Sequence, residues 1–120
     1  LNEARTLERL ALVVRDASDA IIVQDLEGRI SAWNPGAIRL YGWTEAEALA
    51  MNFRDLLPES LRRDALAMLR QHSRTEALTP FRTQRLTKDG RALDVSLTTT
   101  TLVNAAGDPY AIATTERAIT

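Results

Sequence analysis

The first hydrophobic pattern along the chain has a helical period. Over residues 3 to 17, apolar side chains recur three and four positions apart, while charged residues lie off that line. The apolar line consists of Leu7, Leu10, Val14 and Ala17. This pattern predicts an N-terminal helix that either packs on the domain's own sheet or pairs with a second copy of the chain.

Two short runs rich in β-branched residues follow, AIIVQD and RISAWN, and the segment LEG joins them. Gly28 can supply the positive φ of a tight turn, so the runs predict an antiparallel hairpin. Asn34 is then placed to cap a helix with Pro35 at its first position and Gly42 just after its last. We therefore expect a short helix over residues 35 to 41.

Two further helices are predicted next. Thr44 and Glu47 have the spacing of a capping box, which opens a short helix reaching about Leu49. The segment DLLPESLRRDALAMLRQHSRTEA has the longest helical pattern in the chain, with Pro58 near its start. One face of that long helix consists of Leu61, Ala65, Met68, Leu69 and His72.

The hydrophobic period then changes to two, which is typical of strands. The three runs are PFRTQRLT, RALDVSLTTTTLV and PYAIATTERAI, and the turn signals KDG and AAGDP join them. On the middle strand, one face is predicted to carry Leu93, Val95, Leu97, Thr99, Thr101 and Val103. The order of elements predicts an α+β fold, with an antiparallel sheet packed on helices.

Composition and charge narrow the possible functions. A chain of 120 residues with 45% hydrophobic and 26% charged residues fits one globular domain. Its net charge of −1, with basic residues scattered among acidic ones, argues against nucleic-acid binding. The longest uncharged apolar runs fall short of the ~20 residues that a membrane span needs. We expect a cytoplasmic fragment without membrane contact, and its start at Leu1 without an initiator Met indicates an excised module.

The residues that could carry chemistry are few. The chain has no cysteine, which excludes disulfides, thiolate zinc sites, iron–sulfur clusters and cysteine nucleophiles. Its single histidine, His72, is too little for a metal site, and no nucleophile-elbow, phosphate-loop or metalloprotease motif is present. We therefore predict neither a metal site nor a catalytic residue.

Four motifs in order resemble those of PAS domains, the sensory modules of bacterial signalling proteins. They are DLEGRISAWNPGA, LYGWTEAEALAMNFRDLLP, TKDGRALDVSLT and TTERAIT, and the resemblance runs from about Leu7 to Thr120. It implies a five-stranded antiparallel sheet with short helices and one long helix on one face, plus an N-terminal flanking helix. We expect the flanking helix over residues 1 to 18 and a single PAS domain over residues 19 to 120.

The resemblance also implies a pocket for a small molecule between the sheet and the helices. The residues expected to line it are Trp33, Ile38, Tyr41, Met51, Phe53, Leu57, Leu69, Phe81, Leu97 and Ile112. Trp33, Tyr41 and Trp43 lie together in the stretch AWNPGAIRLYGW, and clustered aromatic residues at such junctions are more often packing than a ligand box. We expect these three to build the wall of the cavity.

Several cofactors of the family can be weighed against the sequence. Members that sense blue light carry a reactive cysteine in the region that here reads MNFRDLLP, so flavin–thiol photochemistry is excluded. Haem-binding members use a histidine near the long helix, but a lone His72 near a helix C-terminus is more often placed there by the helix dipole and solvent. Non-covalent flavin stays open, and the cofactor is unassigned.

The C-terminal end carries the departure from the family pattern. In many PAS domains linked to kinases, the last strand ends in an Asp-hydrophobic-Thr motif, and the matching residues here are Ala118, Ile119 and Thr120. The missing Asp leaves three possibilities: weakened coupling, a contact rewired through Glu116 or Arg117, or a chain end that does not meet an effector. The predicted signal-output residues are Glu116, Arg117, Ala118 and Thr120.

The resemblance favours a sensory domain of a multidomain signal-transduction protein, a sensor histidine kinase of a two-component system or phosphorelay. Its expected partners are a second copy, bound through the N-terminal helix, a C-terminal effector domain in the parent chain and a small-molecule ligand. Two alternatives stay open. One is a ligand-free module that dimerises and relays signals, and the other is a PAS sensor linked to a diguanylate cyclase or another effector.

Overall fold

The computed structural model describes residues 19–62 and 81–119. These residues form, in chain order, β1 (Ala20–Asp25), β2 (Ile30–Trp33), α1 (Pro35–Tyr41), α2 (Glu45–Leu49), 3₁₀ helices at Phe53–Leu56 and Glu59–Leu61, β3 (Phe81–Leu86), β4 (Ala92–Val103) and β5 (Pro109–Ala118). The predicted N-terminal helix and most of the predicted long helix lie outside the described residues. Within the described part of the chain, no helix is long and apolar enough to cross a membrane.

The five strands form one antiparallel sheet, which confirms the predicted α+β fold, and their order is β2-β1-β5-β4-β3. The last strand, β5, lies between β1 and β4, with Ala20 opposite Glu116 on one side and Leu97 opposite Glu116 on the other. Residues directly opposite each other in neighbouring strands point to the same face of the sheet. The inner face of β5 is therefore at the centre of the domain.

The predicted caps of α1 and α2 are confirmed. The Oδ1 atom of Asn34 accepts a hydrogen bond from the backbone N–H of Ala37 at 2.9 Å, and Gly42 ends α1 with φ of 88°. At α2, the N–H of Glu47 donates to Thr44 Oγ1 at 3.2 Å, while Glu47 Oε1 accepts from the N–H of Thr44 at 3.0 Å.

The turn between β1 and β2 is fixed to the first 3₁₀ helix. Gly28 has φ of 93°, and a Cβ atom there would lie 2.6 Å from Asn52 Oδ1, so no side chain fits without a shift. The N–H of Phe53 donates to the carbonyl oxygen of Gly28 at 2.7 Å, and Asn52 Nδ2 donates to Glu27 O at 3.1 Å. This contact holds the start of the 3₁₀ helix, and hence Phe53, in place.

The core lies between the inner face of the sheet and these short helices. It consists of Ala20, Ile22, Ile30, Trp33, Ala37, Tyr41, Ala48, Phe53, Leu56, Leu57, Val95 and Leu97. Val103, which was predicted to share a face of β4 with Val95 and Leu97, is 55% exposed, whereas those two residues are buried. The ladder between β4 and β5 shifts register between Leu102 and Val103, and such an irregularity turns the strand end away from the regular alternation.

Candidate functional site

A buried carboxylate lies at the centre of the candidate site. Glu116 points inward from β5 and is 0% exposed. Tyr41 Oη donates a hydrogen bond to Glu116 Oε1 at 2.5 Å, and Thr114 Oγ1 donates to Glu116 Oε2 at 2.6 Å. Each carboxylate oxygen therefore accepts a hydrogen bond from a neutral hydroxyl group.

Arg85 on β3 supplies the opposite charge. Its Nε atom lies 3.3 Å from Glu116 Oε1, and both side chains are buried. The Nε–H does not meet hydrogen-bond geometry, so the attraction between the two groups is that of an ion pair. Arg85 Nη1 donates to the carbonyl oxygen of Gln84 at 3.1 Å, and the guanidinium carbon lies 4.7 Å from the ring centroid of Phe53. The buried negative charge of Glu116 thus has a buried positive charge beside it, and a buried ion without such a partner is strongly destabilising.

We call Tyr41, Arg85, Thr114 and Glu116 the buried polar cluster. Burial raises the pKa of the Tyr41 phenol, and the negative charge of Glu116 and the hydrogen bond to it raise that pKa further, while Arg85 opposes them. The phenol therefore stays protonated across the physiological range. As a result, Tyr41 is a permanent donor to Glu116 and joins α1 to β5.

Aromatic rings form one wall beside this cluster. The Trp33 and Tyr41 ring centroids lie 5.8 Å apart with the planes tilted by 42°. Trp33 Nε1 donates to the carbonyl oxygen of Trp43 at 3.0 Å. Trp43 is partly buried against the core, with Lys88 Nζ 5.5 Å from its ring centroid. Trp33 and Tyr41 are thus interior residues, whereas Trp43 lies at the margin.

Gln24 on β1 is the second unusual polar residue of the inner face. It is 1% exposed, and neither its Oε1 nor its Nε2 has a hydrogen-bond partner among the residues that the structure describes. A buried amide without partners is costly, and in native proteins such a group calls for an explanation.

The predicted pocket residues fall into three groups. Trp33, Tyr41, Phe53, Leu57 and Leu97 belong to the core, with Met51 partly buried against it. Ile112 is buried as well, on β5. Ile38 differs, because its side chain is 36% exposed. Phe81 pairs with Leu97 in the ladder between β3 and β4, and Leu69 lies outside the described residues.

Sequence reasoning missed Gln24, Arg85 and Thr114. Gln24 and Thr114 occupy buried positions of the alternating strands β1 and β5, next to Ile22 and Ile112. Arg85 is buried on β3, opposite Leu93. A charged, amide or hydroxyl side chain at an inward position of a strand is the signal that could have found them.

The predicted output residues lie at the end of β5. Glu116 points into the core, whereas Arg117 points outward and its Nη2 lies 3.0 Å from Asp19 Oδ2. The hydrogen bond and the charge of Asp19 raise the pKa of the Arg117 guanidinium. Ala118 is partly buried, and Thr120 lies outside the described residues. The end of β5 is thus tied to the residue that precedes β1.

His72 and the apolar line of Leu7, Leu10, Val14 and Ala17 lie outside the described residues. Among the residues of the ranges 19–62 and 81–119, no group of three or more histidine, cysteine, aspartate or glutamate side chains could hold a metal ion.

The described residues form an α+β fold, in which short helices lie beside one five-stranded antiparallel sheet. The sequence of residues 8–117 matches the family model of the PAS fold, so the chain belongs to the PAS family. A PAS domain alone is a sensory and non-catalytic unit. No curated protein sequence matches the chain.

Solved structures show the same fold. The PAS domain of a protein from Colwellia psychrerythraea has a TM-score of 0.86 at 22% identity, over 96% of this chain and 98% of that one. The light-oxygen-voltage (LOV) protein of Rhodobacter sphaeroides has 0.82 at 18%, over 97% and 68%. A domain of the sensory box sensor histidine kinase/response regulator from Geobacter sulfurreducens has 0.71 at 24%, over 93% of each chain.

Proposed function

We propose that this chain is the sensory PAS domain of a multidomain signal-transduction protein, a sensor histidine kinase, and that it relays the occupancy of an internal pocket to an effector. The observation that carries the relay is the buried polar cluster, in which α1, β3 and β5 meet at the carboxylate of Glu116. The similarity to a domain of a Geobacter sulfurreducens sensor histidine kinase/response regulator supports the choice of effector.

The proposed mechanism is a shift between two arrangements of the helices and the sheet. A ligand changes their populations only by the difference between its affinities for them. Tyr41 Oη on α1 lies 2.5 Å from Glu116 Oε1 on β5 and donates a hydrogen bond to it. A ligand that displaces α1 therefore either breaks this hydrogen bond or moves β5 as well. Glu116 lies two residues before the end of β5 at Ala118, which puts the contact next to the proposed output segment.

The test is a pair of tyrosine substitutions in the full-length parent protein. Tyr41→Phe removes only the hydroxyl that donates to Glu116, whereas Tyr110→Phe removes a hydroxyl from a residue of β5 that is 49% exposed. Since coupling energies of about 1–3 kcal/mol are usual, we expect Tyr41→Phe to change autophosphorylation by about fivefold or more. Tyr110→Phe should leave it unchanged.

Two further measurements separate the alternatives. Unchanged output from a fully folded Tyr41→Phe protein would exclude the relay through Glu116. Native mass spectrometry of the purified domain reports bound mass and oligomeric state together: added mass supports a ligand site, and a bare dimer supports the ligand-free relay. If the parent carries a diguanylate cyclase or another effector, the same pair of variants is compared through that effector's product.

A further inference from the structure

The side-chain amide of Gln24 faces the interior with its hydrogen-bonding capacity unused. Its Oε1 is an acceptor, its Nε2 is a donor, and neither has a partner in the described part of the chain. By contrast, the carboxylate oxygens of Glu116 and the hydroxyl groups of Tyr41 and Thr114 are hydrogen-bonded to one another. On β1, the buried side-chain atoms without a hydrogen-bond partner are therefore those of Gln24.

The neighbours of Gln24 on the inner face of the sheet are apolar. Gln24 lies opposite Ile30 on β2 and opposite Ile112 on β5, and Ile22 is the neighbour on the same face of β1. All three isoleucines are buried. A polar edge set among aliphatic groups fits the pattern of small-molecule pockets, in which few polar groups fix the orientation of a mostly apolar ligand.

We propose that Gln24 determines ligand specificity by binding a neutral, planar molecule with a lactam edge, and this inference rests on the proposed sensory function. A primary amide presents an acceptor and a donor side by side. The group that satisfies both at once carries an N–H and a C=O on adjacent atoms, as in a lactam, and forms two parallel hydrogen bonds. A lone hydroxyl or ether group would leave one of the two amide atoms unpaired, which is costly in a buried site.

The charges of the site explain why the ligand is neutral. Glu116 and Arg85 already form a buried pair of zero net charge, and Gln24 adds none. A charged ligand would bring an uncompensated charge into an apolar surrounding, which is strongly unfavourable.

A ligand at Gln24 would lie close to the buried polar cluster. Thr114 is the next residue after Ile112 on the inner face of β5, and it lies opposite Ile22 in the ladder. Its hydroxyl group donates to Glu116 Oε2 at 2.6 Å. A ring held by Gln24 would therefore lie one inner-face position away from Thr114, which belongs to the buried polar cluster.

The experiment compares two probes by protein-observed NMR, 2-pyridone and N-methyl-2-pyridone. The probes differ in one feature, because the methyl group removes the N–H of the lactam edge. A probe of this size is expected to bind at about the millimolar level, so each is titrated to about 10 mM. The reporters are the Gln24 side-chain amide and the backbone amide of Thr114. We expect 2-pyridone to bind about tenfold or more tightly than its methylated form.

Two variants locate the preference. Gln24→Met keeps a similar length without polar edges and should abolish the preference for 2-pyridone. Gln84→Met removes an exposed glutamine of β3 that donates to Asp94 Oδ1 at 3.1 Å, and it should leave the preference intact. The comparison of the two probes on the unaltered protein holds even where Gln24→Met does not fold.

Three results would overturn the inference: equal binding of both probes, an unchanged preference in a folded Gln24→Met protein, or a Gln24 amide in contact with a buried water and insensitive to 2-pyridone. The proposed function fails separately. If Tyr41→Phe alters signalling while Gln24 shows no preference, the domain is a sensor for another ligand class. If Tyr41→Phe is also silent, both proposals fail.

Discussion

The carboxylate of Glu116 is buried away from water, so the free-energy cost of burying its charge depends on the groups around it. Two hydroxyl groups and the Arg85 guanidinium compensate its charge. Removing one partner of a buried ion pair leaves the other charge uncompensated, and this costs more than the pair itself contributes. Arg85 is therefore expected to matter for folding beyond its modest packing contribution.

Replacing Arg85 by Met should lower the free energy of unfolding by about 3 kcal/mol, because Glu116 would stay buried without a counter-charge. The double variant Arg85→Met, Glu116→Gln should recover part of this loss, since no net charge remains in the core. Urea unfolding of the two single variants and the double variant measures the coupling between the residues.

Arg91→Met is the matched control for this cycle. Arg91 Nε lies 2.9 Å from Asp89 Oδ2, but both side chains are largely exposed, so the unfolding midpoint should hardly change. Equal, small losses for Arg85→Met and Arg91→Met would show that the ion pair does not hold the cluster together.

At the scale of elements, the sequence predicts best what is decided locally. The cap of α1 joins Asn34 to Ala37, and the capping box of α2 joins Thr44 to Glu47, so each signal lies within a few residues. The contact between Tyr41 and Glu116 spans 75 positions. No local pattern reveals such a partner, so the burial of Glu116, which was predicted only as an output residue, could not be foreseen.

The pocket prediction had a similar limit. Alternation and helical period indicated apolar positions, and most of them are buried together. The polar residues Gln24 and Arg85 were missed because strands were predicted from their apolar positions. That alternation also points these two polar side chains inward was not used. Ile38 was assigned to the pocket because helical spacing puts it on the same face of α1 as Tyr41, but its side chain is partly exposed.

Asn34 does more than cap α1, which gives a test at this scale. Its Oδ1 accepts from the backbone N–H of Ala37 and of Ile21, and its Nδ2 donates to Asp19 O at 2.8 Å. We expect Asn34→Ala to lower the free energy of unfolding by about 2–3 kcal/mol, because buried backbone groups lose their partners. Thr44→Ala, at an exposed cap, should cost about 1 kcal/mol. Chemical denaturation compares the two.

Similar losses for Asn34→Ala and Thr44→Ala would mean that Asn34 serves as a helix cap alone. A clearly larger loss at Asn34 would establish it as the joint between β1 and α1.

At the scale of the whole molecule, the start of β1 and the end of β5 lie next to each other. Asp19 precedes β1, and Arg117 lies near the end of β5, and their side chains form an ion pair at 3.0 Å. β1 and β5 are antiparallel neighbours, with Ala20 opposite Glu116. A flanking helix before β1 and an effector after β5 would therefore start side by side, next to the buried polar cluster.

The predicted N-terminal helix supplies a test of assembly. If Leu7, Leu10, Val14 and Ala17 hold two copies together, replacing Leu10 and Val14 by Glu should give monomers, because four carboxylates would face one another in an apolar interface. Analytical ultracentrifugation measures the change. The control is Leu49→Glu, which adds a charge at an exposed leucine of α2. A dimer that persists in the Leu10, Val14 variant would show that the helix is not the interface.

The contact between the rings of Trp33 and Tyr41 gives the domain an intrinsic fluorescent reporter. An excited indole responds to charges and hydrogen bonds within a few ångströms, and the ring of Trp33 lies 5.8 Å from the phenol ring that donates to Glu116. Trp43 is the only other tryptophan of the chain, so replacing it by Phe leaves a single emitter. Rearrangement around Glu116 can then be followed in real time by intrinsic fluorescence, without an attached label.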